Sequence, residues 1–235
     1  MIIRLQPSHL VITQADHAAL AAEALSHWQD DDFVNHPRRD IILLAAREHD
    51  NGWIEEDADT HVDDAGRPLD FVAVPAAVRQ RIWPRAVERM AQRSTYAAAL
   101  IAQHAIAVYS HTRSDPAWDQ FFERMTTLRD RLLARSGIAP EAMAADYGFV
   151  NAADRMSLAF CTGWREPLES MGRRIILGPR NMLAVTPDPF AGRRVPLRVT
   201  GRQLPDRTYI TAAEFRAALE TAPVVVLEGE AVGGA

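Results

Sequence analysis

The chain has 235 residues, of which 48% are hydrophobic and 24% charged; this length fits one large domain, and the composition excludes an intrinsically disordered protein. The net charge of −5 argues against a broad nucleic-acid-binding surface, and a single cysteine excludes both a disulfide framework and a cysteine-rich zinc site. Every basic residue is an arginine, which excludes a Schiff-base lysine and a P-loop lysine.

Apolar runs in the chain are short. The longest, residues 41–46 and 97–102, have six residues each, whereas a membrane-spanning helix needs about 20. The N-terminus also lacks the apolar stretch and cleavage site of a secretory signal. We therefore expect a cytoplasmic protein that contacts no membrane.

Helix signals dominate the first two thirds of the chain. The first dozen residues alternate loosely around Pro7 and predict two short strands or an extended arm. Thr13 to Asp16 has the spacing of a capping box and opens a helix over residues 14–28. Residues 52–74 predict a loop of a length that is uncommon unless it has a function. Similar start and stop signals predict further helices over 41–51, 76–92, 95–112, 116–136 and 149–162, with a short helical piece from Pro140.

The pattern changes after Trp164, where glycine and proline interrupt short apolar runs. Thr211 opens another capping box and a helix to about residue 221. The apolar runs predict strands over 174–177, 183–186, 195–199 and 224–227. We therefore expect a helical body over residues 1–165 and a small α+β extension over residues 166–235.

Polar side chains interrupt the apolar faces of the predicted helices. An aspartate or imidazole on a core-facing position needs a partner, and one shared metal ion would satisfy all of them. Gly52 ends its helix just after the His-Asp pair, which puts both side chains at the last turn. Imidazole and carboxylate ligands without thiolate favour iron, manganese or zinc over magnesium. These polar positions are His17, the adjacent pair His49 and Asp50, His104, and Asp154.

Each of these residues alone also has an ordinary explanation. A single histidine on an apolar helix face is more often a satisfied core residue than a ligand, and Asp16 is a ready partner for His17. Asp50 can cap a helix or pair with an arginine, and Asp154 can form an exposed ion pair with Arg155. Only the joint pattern indicates a metal site.

The order His17, then His49-Asp50, then Asp154 resembles that of the HD superfamily of metal-dependent phosphohydrolases. Ligands in that all-helical fold run His, His-Asp and Asp on successive helices. The resemblance covers residues 14–162 and implies a mainly α, HD-like helical bundle with a small β-containing C-terminal extension. It implies one or two divalent transition-metal ions (iron, manganese or zinc) held by these four residues.

The resemblance also implies further site residues and a reaction. Two-metal members have two more histidines, and here His104 is preferred over His111, which lies two turns further along the same helix. Asp50 and His104 would be the catalytic groups in hydrolysis of a phosphate ester, such as a nucleotide. Trp53 stands where the superfamily often has a lysine. Arg47, Arg113 and Arg155 are the candidates to replace that lysine as the anion contact.

A second resemblance extends over nearly the whole chain. It is to an uncharacterised bacterial domain-of-unknown-function family, and it supplies no activity. It rests on the blocks at residues 14–18, 48–53, 103–104, 154–158 and 188–190.

Two other functions stay open. One is a di-iron oxygenase on the same HD-like scaffold, and the other is a non-catalytic ligand-binding or scaffold protein with a buried polar network. The expected partner is a small phosphorylated molecule rather than nucleic acid, and homo-oligomerisation stays open. Neither Ser157 nor Cys161 has the setting of a catalytic nucleophile. The aspartates at 57, 59, 63 and 64 predict a solvated acidic rim.

Overall fold

The computed structural model describes residues 1–5 and 9–234. Two short strands, β1 (Ile2–Arg4) and β2 (His9–Ile12), precede the first long helix; Pro7, around which they were predicted, lies outside the described residues. The helices of the body are α1 (Gln14–Ser26), α2 (Asp31–Val34), α3 (Arg39–Glu48), α4 (Ile54–Ala58), α5 (Ala76–Ala91), α6 (Thr95–Val108), α7 (Asp119–Ser136) and α8 (Pro140–Thr162). The C-terminal part contains β3 (Leu168–Ser170), β4 (Arg173–Leu177), β5 (Met182–Thr186), β6 (Val195–Leu204), α9 (Ala212–Thr221) and β7 (Val224–Gly233). Within the described ranges, no helix is both long enough and apolar enough to cross a membrane.

The helix ends follow from capping side chains and glycines. Thr13 Oγ accepts from the backbone N–H of Asp16 at 3.0 Å, and this capping bond starts α1. Gly137 and Gly163 adopt the left-handed conformation that ends α7 and α8. The two pieces predicted over residues 140–162 form one continuous helix. Gly148 lies inside it where a Cβ would approach Met171 Cγ to 3.1 Å, so this glycine allows close packing rather than a break.

A seven-stranded, curled mixed sheet forms a substantial part of the molecule, in the order β1-β2-β6-β7-β5-β4-β3. The prediction of a mainly helical, HD-like bundle with a small β extension is therefore wrong. Only β5 and β7 pair in parallel, and the other neighbours pair antiparallel. The N-terminal strand β2 pairs with β6 through His9 opposite Leu204. A pairing between residues so distant in sequence leaves no signal in a local pattern.

Two strands are also longer than their apolar runs. β6 and β7 have ten residues each, whereas the sequence predicted 195–199 and 224–227. Gly229, which resembles a turn signal, lies within β7, where a Cβ would come within 2.3 Å of Asn181 O. A glycine in a strand can thus mark close backbone approach instead of a strand end.

The helical body and the sheet share one hydrophobic core. Along β6, Val195, Leu197 and Val199 are buried and the residues between them are exposed, as expected for a sheet with one covered face. Their buried side chains belong to the same cluster as those of α1, α3, α5, α6, α7 and α8. A smaller cluster contains Met1, Val11, Leu204, Tyr209, Phe215 and Ala222. The division of the chain at residues 165 and 166 stays a prediction.

A buried polar network connects three of the helices. Asp146 on α8 is fully buried and accepts from Arg38 Nε at 2.6 Å and Arg38 Nη2 at 3.0 Å. The Tyr96 hydroxyl on α6 donates to the same carboxylate at 2.6 Å, and His36 Nε2 lies 3.2 Å from it. The start of α3 is thereby held against α6 and α8.

Candidate metal centre

Four helices bring the predicted polar residues together. His17 lies on α1, His104 on α6 and Asp154 on α8, while His49 and Asp50 follow the last residue of α3. All of them converge within hydrogen-bonding or ion-pairing distances. The three imidazoles are almost completely buried, so the cluster lies inside the helical body.

The adjacent His49 and Asp50 both reach the cluster because α3 ends at Glu48, directly before them. A 3₁₀ turn over Asn51–Trp53 starts directly after Asp50. Gly52 lies so close to α5 that a Cβ would be 2.1 Å from Ile82 O. Arg85 on α5 donates to Gly52 O at 3.3 Å, which holds the turn in place.

The nitrogen and oxygen atoms of the cluster are closely spaced. His17 Nε2 lies 3.1 Å from Asp154 Oδ1 and 3.7 Å from Asp50 Oδ2. His49 Nε2 lies 3.3 Å from Asp50 Oδ2 and 3.4 Å from Asp154 Oδ1. His104 Nε2 is further away, 3.9 Å from Asp154 Oδ2. Both carboxylates therefore face the same histidine edges.

The backbone sets the tautomer of His49. Its Nδ1 lies 2.7 Å from Ala46 O, and a carbonyl can only accept, so Nδ1 carries the proton. Nε2 is then the ring nitrogen that faces the two carboxylates. It is buried and has no hydrogen-bond partner of acceptable geometry among the described residues. Either a proton on this nitrogen or a bound metal ion would balance the two negative charges.

Ser157 sets the tautomer of His17 in the same way. Its single hydroxyl proton is donated to His17 O at 2.7 Å. The Ser157 oxygen therefore accepts from His17 Nδ1 at 2.8 Å, so this nitrogen also carries the proton. His17 Nε2 is left with a lone pair that points toward Asp154.

His104 has a different outer partner. Its Nδ1 lies 3.2 Å from the Tyr147 hydroxyl, which can either donate or accept. Burial lowers the pKa of His104 to about 4, although the Asp154 carboxylate opposes this shift. His104 is therefore neutral near pH 7, and its tautomer is not set by the contact alone.

The charges of the cluster depend on one another. Burial lowers the pKa of His49, but the nearby Asp50 and Asp154 carboxylates raise it more, and the result lies well above the usual histidine value. Burial raises the pKa of Asp154, but contacts from His17 and His49 hold it well below the usual range. Burial likewise raises the pKa of Asp50, but the nearby His49 and His17 lower it more, so that the pKa of Asp50 lies below its usual value. In the metal-free site the ionised carboxylates thus stabilise a proton on His49, and a metal ion that binds there would replace this proton.

The donor atoms fit a divalent transition-metal ion. Ligands about 2.0–2.2 Å from one ion lie about 2.8–3.6 Å from each other in octahedral or tetrahedral arrangements, and three of the separations above are within this range. Two overlapping groups could hold an ion, but they share His49, whose Nε2 can bind only one ion at a time. The groups are His17, His49 and Asp50, and His49, His104 and Asp154.

A small cavity of about 80 Å³ opens onto the cluster. Asp50, His104 and Asp154 line it on one side, and the rings of Trp53 and Trp83 line it elsewhere. Trp53 occupies the position where an HD-type lysine was expected, so this cavity has an aromatic wall there.

Comparison with known proteins assigns a family. The family described as Protein of unknown function (DUF3891) matches residues 1–206. The chain belongs to this family. The expectation of an uncharacterised family over most of the chain is thereby confirmed, whereas the match provides no link to the HD superfamily. No curated protein and no solved structure matches the chain.

The DUF3891 match includes the whole cluster and ends before α9 and β7. Inside it, His111 lies in a 3₁₀ turn after α6, where it is exposed and its Nδ1 contacts Val108 O at 3.1 Å. It does not join the cluster. Of the three arginines named from sequence, Arg47 is exposed and Arg113 stacks over Phe122 at 4.3 Å. Arg155 alone lies beside a cavity that Asp154 also lines.

Sequence analysis of the DUF3891 chain missed the residues behind the ligands. Ser157 and Tyr147 contact the outer nitrogens of His17 and His104. Both lie on α8 at helical spacing from Asp154, three residues after it and seven before it, which is the signal that could have found them. Asp57, predicted to be solvated, has a side chain that is only 8% exposed and that accepts from Gln14 N at 2.7 Å and from the N-terminal ammonium of Met1.

Proposed function

We propose that this DUF3891 protein is a metal-dependent hydrolase of phosphate esters. The observation that supports this most is the buried pair of imidazoles, His17 and His49, whose Nε2 atoms lie 3.1–3.7 Å from two ionised carboxylates. The donor set of nitrogen and oxygen atoms favours iron, manganese or zinc, as one or two ions.

His17, His49, Asp50 and Asp154 would hold the ion, and His104 would be a fifth ligand or, with Asp154, part of a second site. When bound, such an ion supplies Lewis acidity, which lowers the pKa of water and polarises a phosphoryl oxygen. Ser157 and Ala46 O accept from Nδ1 of His17 and His49, so that Nε2 is the nitrogen of each ring that would bind the ion.

Asp50 and His104 are the groups placed to move protons. Both line the 80 Å³ cavity next to the donor atoms. A carboxylate oxygen of Asp50 can accept the proton of an attacking water, and His104 can relay a proton at Nε2 only where this nitrogen does not bind an ion. Trp53 and Trp83 exclude bulk water from this side of the cavity.

Phosphate release from a panel of phosphate monoesters, including nucleoside monophosphates, tests the proposal. The protein is first made metal-free with a chelator and then reloaded with Mn²⁺, Zn²⁺ or Fe²⁺. We expect metal-dependent release that falls by about 100-fold or more in Asp154→Asn, because the variant loses a charged ligand.

Asp130→Asn is the matched control, since it makes the same chemical change at a carboxylate whose side chain is 59% exposed on α7. It is expected to keep full activity. A fully metal-loaded wild type that releases no phosphate from any ester would contradict the hydrolase proposal.

The di-iron oxygenase is the second candidate, and the observation that favours it is the third imidazole, His104, beside Asp154, which a second ion could use. Iron-loaded protein with an absorption spectrum that changes on reduction, together with absent phosphatase activity, would favour this alternative. Full tolerance of His49→Ala in a metal-free protein would instead favour a non-catalytic role.

A further inference from the structure

A second cavity adjoins the one at the cluster. Its volume is about 380 Å³, and we call it the outer cavity. It shares Val108, Asp154 and Leu158 with the 80 Å³ inner cavity. One face of Asp154 thus borders the histidine cluster, and the same residue borders a larger space beyond it. Further lining residues of the outer cavity are Ser110, His111, Asn151, Arg155 and Trp164.

The two cavities differ in what they can hold. Pockets for small organic ligands typically have about 300–1,000 Å³, which the outer cavity reaches and the inner cavity does not. Among the described residues that line the inner cavity there is no arginine. The organic part of a phosphate ester bound at the cluster would therefore lie in the outer cavity. An arginine that contacts its phosphoryl group would also come from the outer cavity.

Arg155 provides that charge in a fixed position. Its Nε donates to Asn151 Oδ1 at 3.1 Å, and the same oxygen accepts from Ser170 Oγ at 2.8 Å. Within residues 1–5 and 9–234, Arg155 forms no ion pair with a carboxylate, and its terminal nitrogens have no hydrogen-bond partner. A tethered guanidinium with unused donors is suited to bind phosphoryl oxygens.

Trp164 provides a flat apolar wall in the same cavity. It is 39% exposed and packs against Phe71, with ring centroids 6.3 Å apart. Leu158, Leu168 and Val108 add aliphatic surface. This apolar part of the lining suits an aromatic or heteroaromatic ring, whereas Ser110, His111 and Asn151 make the rest of the lining polar.

We infer that the outer cavity binds a small aromatic phosphate monoester, with Arg155 in contact with the phosphoryl oxygens and Trp164 packed on the ring. The inference rests on the proposed function, because it orients the phosphoryl group toward Asp154. A single guanidinium favours a monoester over a polyphosphate. Arg155 is thereby the phosphate contact that the sequence alone could not choose among three arginines.

Binding of phenylphosphonate, a monoester analogue whose P–C bond resists hydrolysis, tests the inference by calorimetry on metal-loaded protein. We expect Arg155→Gln to weaken binding by roughly 10- to 100-fold, as for a lost charge-assisted hydrogen bond. Arg113→Gln, which removes a guanidinium stacked on Phe122, is the matched control and is expected to bind like the wild type.

A second comparison tests the aromatic wall. Trp164→Ala is expected to weaken phenylphosphonate binding by roughly 3- to 10-fold and to leave methylphosphonate binding unchanged. Equal affinity of Arg155→Gln and wild type, at equal metal content, would overturn the inference. So would equal losses for both phosphonates in Trp164→Ala.

The outcome is separable from that of the proposed function. Binding that depends on Arg155, in a protein that hydrolyses no ester, would contradict the hydrolase and support the ligand site. Ester hydrolysis with an unchanged KM in Arg155→Gln would contradict the inference and support the hydrolase. Arg155→Lys keeps the charge and loses the planar donor pair, so an intermediate affinity is expected.

Discussion

Replacing Ser157 with alanine tests whether the Ser157 hydroxyl determines which ring nitrogen of His17 carries the proton. In the wild type, the Ser157 hydroxyl accepts from His17 Nδ1 at 2.8 Å, which keeps Nε2 unprotonated. Without Ser157 the proton can move to Nε2, where Asp154 Oδ1 lies 3.1 Å away and accepts it. The variant therefore keeps a satisfied metal-free site but has a poorer metal ligand.

The size of the effect follows from this exchange. Loss of a hydrogen-bond partner behind a ligand costs about 10- to 100-fold in metal affinity, which is about 1.4–2.7 kcal/mol. The metal-free protein exchanges one buried hydrogen bond for another, so its free energy of unfolding should change by no more than about 1 kcal/mol. The expected signature is weak metal binding in a protein of nearly normal stability.

Calorimetric titration of metal-free protein with Zn²⁺ or Mn²⁺ measures the first quantity, and urea denaturation of the same protein measures the second. Ser136→Ala is the control, because the Ser136 hydroxyl makes a similar bond to Leu133 O at 2.7 Å on α7. Metal affinity in Ser157→Ala within twofold of the wild type would refute the tautomer argument. A decrease of several kcal/mol in the free energy of unfolding of the metal-free variant would show that the lost hydrogen bond is not replaced by another.

Three further predictions concern the fold around the site. Asp146→Ala should lower the free energy of unfolding in urea by about 3 kcal/mol, because Arg38 loses its buried partner; a loss below about 1 kcal/mol would contradict this. Gly52→Ala should lower the Tm by several degrees, because its Cβ would be 2.1 Å from Ile82 O; an unchanged Tm would show that the turn adjusts freely. Cys161, whose burial raises its thiol pKa to about 12, should resist a thiol reagent at pH 8 until urea unfolds the chain, and rapid labelling of native protein would argue against its burial.

The helices and the polar cluster could be predicted because their signals are local. The capping bond of Thr13 and the glycine at 137 lie within a few residues of the helix ends that they determine. His17, His104 and Asp154 were selected because they interrupt apolar faces, and the structure places their nitrogen and oxygen atoms in one buried cluster. A buried polar residue needs a partner, whatever the fold.

The sheet could not be predicted because its pairings are distant in sequence. β2 pairs with β6, and β5 pairs in parallel with β7. The apolar runs of these strands do not indicate which strands pair or in which register. The length of β7 was also hard to predict because a glycine such as Gly229 resembles a turn signal in sequence. In the structure this glycine allows the close approach of Asn181. The HD-like fold was therefore inferred from ligand order alone, and ligand order does not determine strand pairing.

The central claim is that the buried cluster holds a metal ion. Elemental analysis of protein purified without a metal-affinity tag tests this most directly, with the wild type beside a His49→Ala, Asp50→Ala double variant whose fold is checked by circular dichroism. We expect about one or two equivalents of iron, manganese or zinc in the wild type and none in the folded variant. A wild type that contains no such metal and takes up none on incubation would contradict the account.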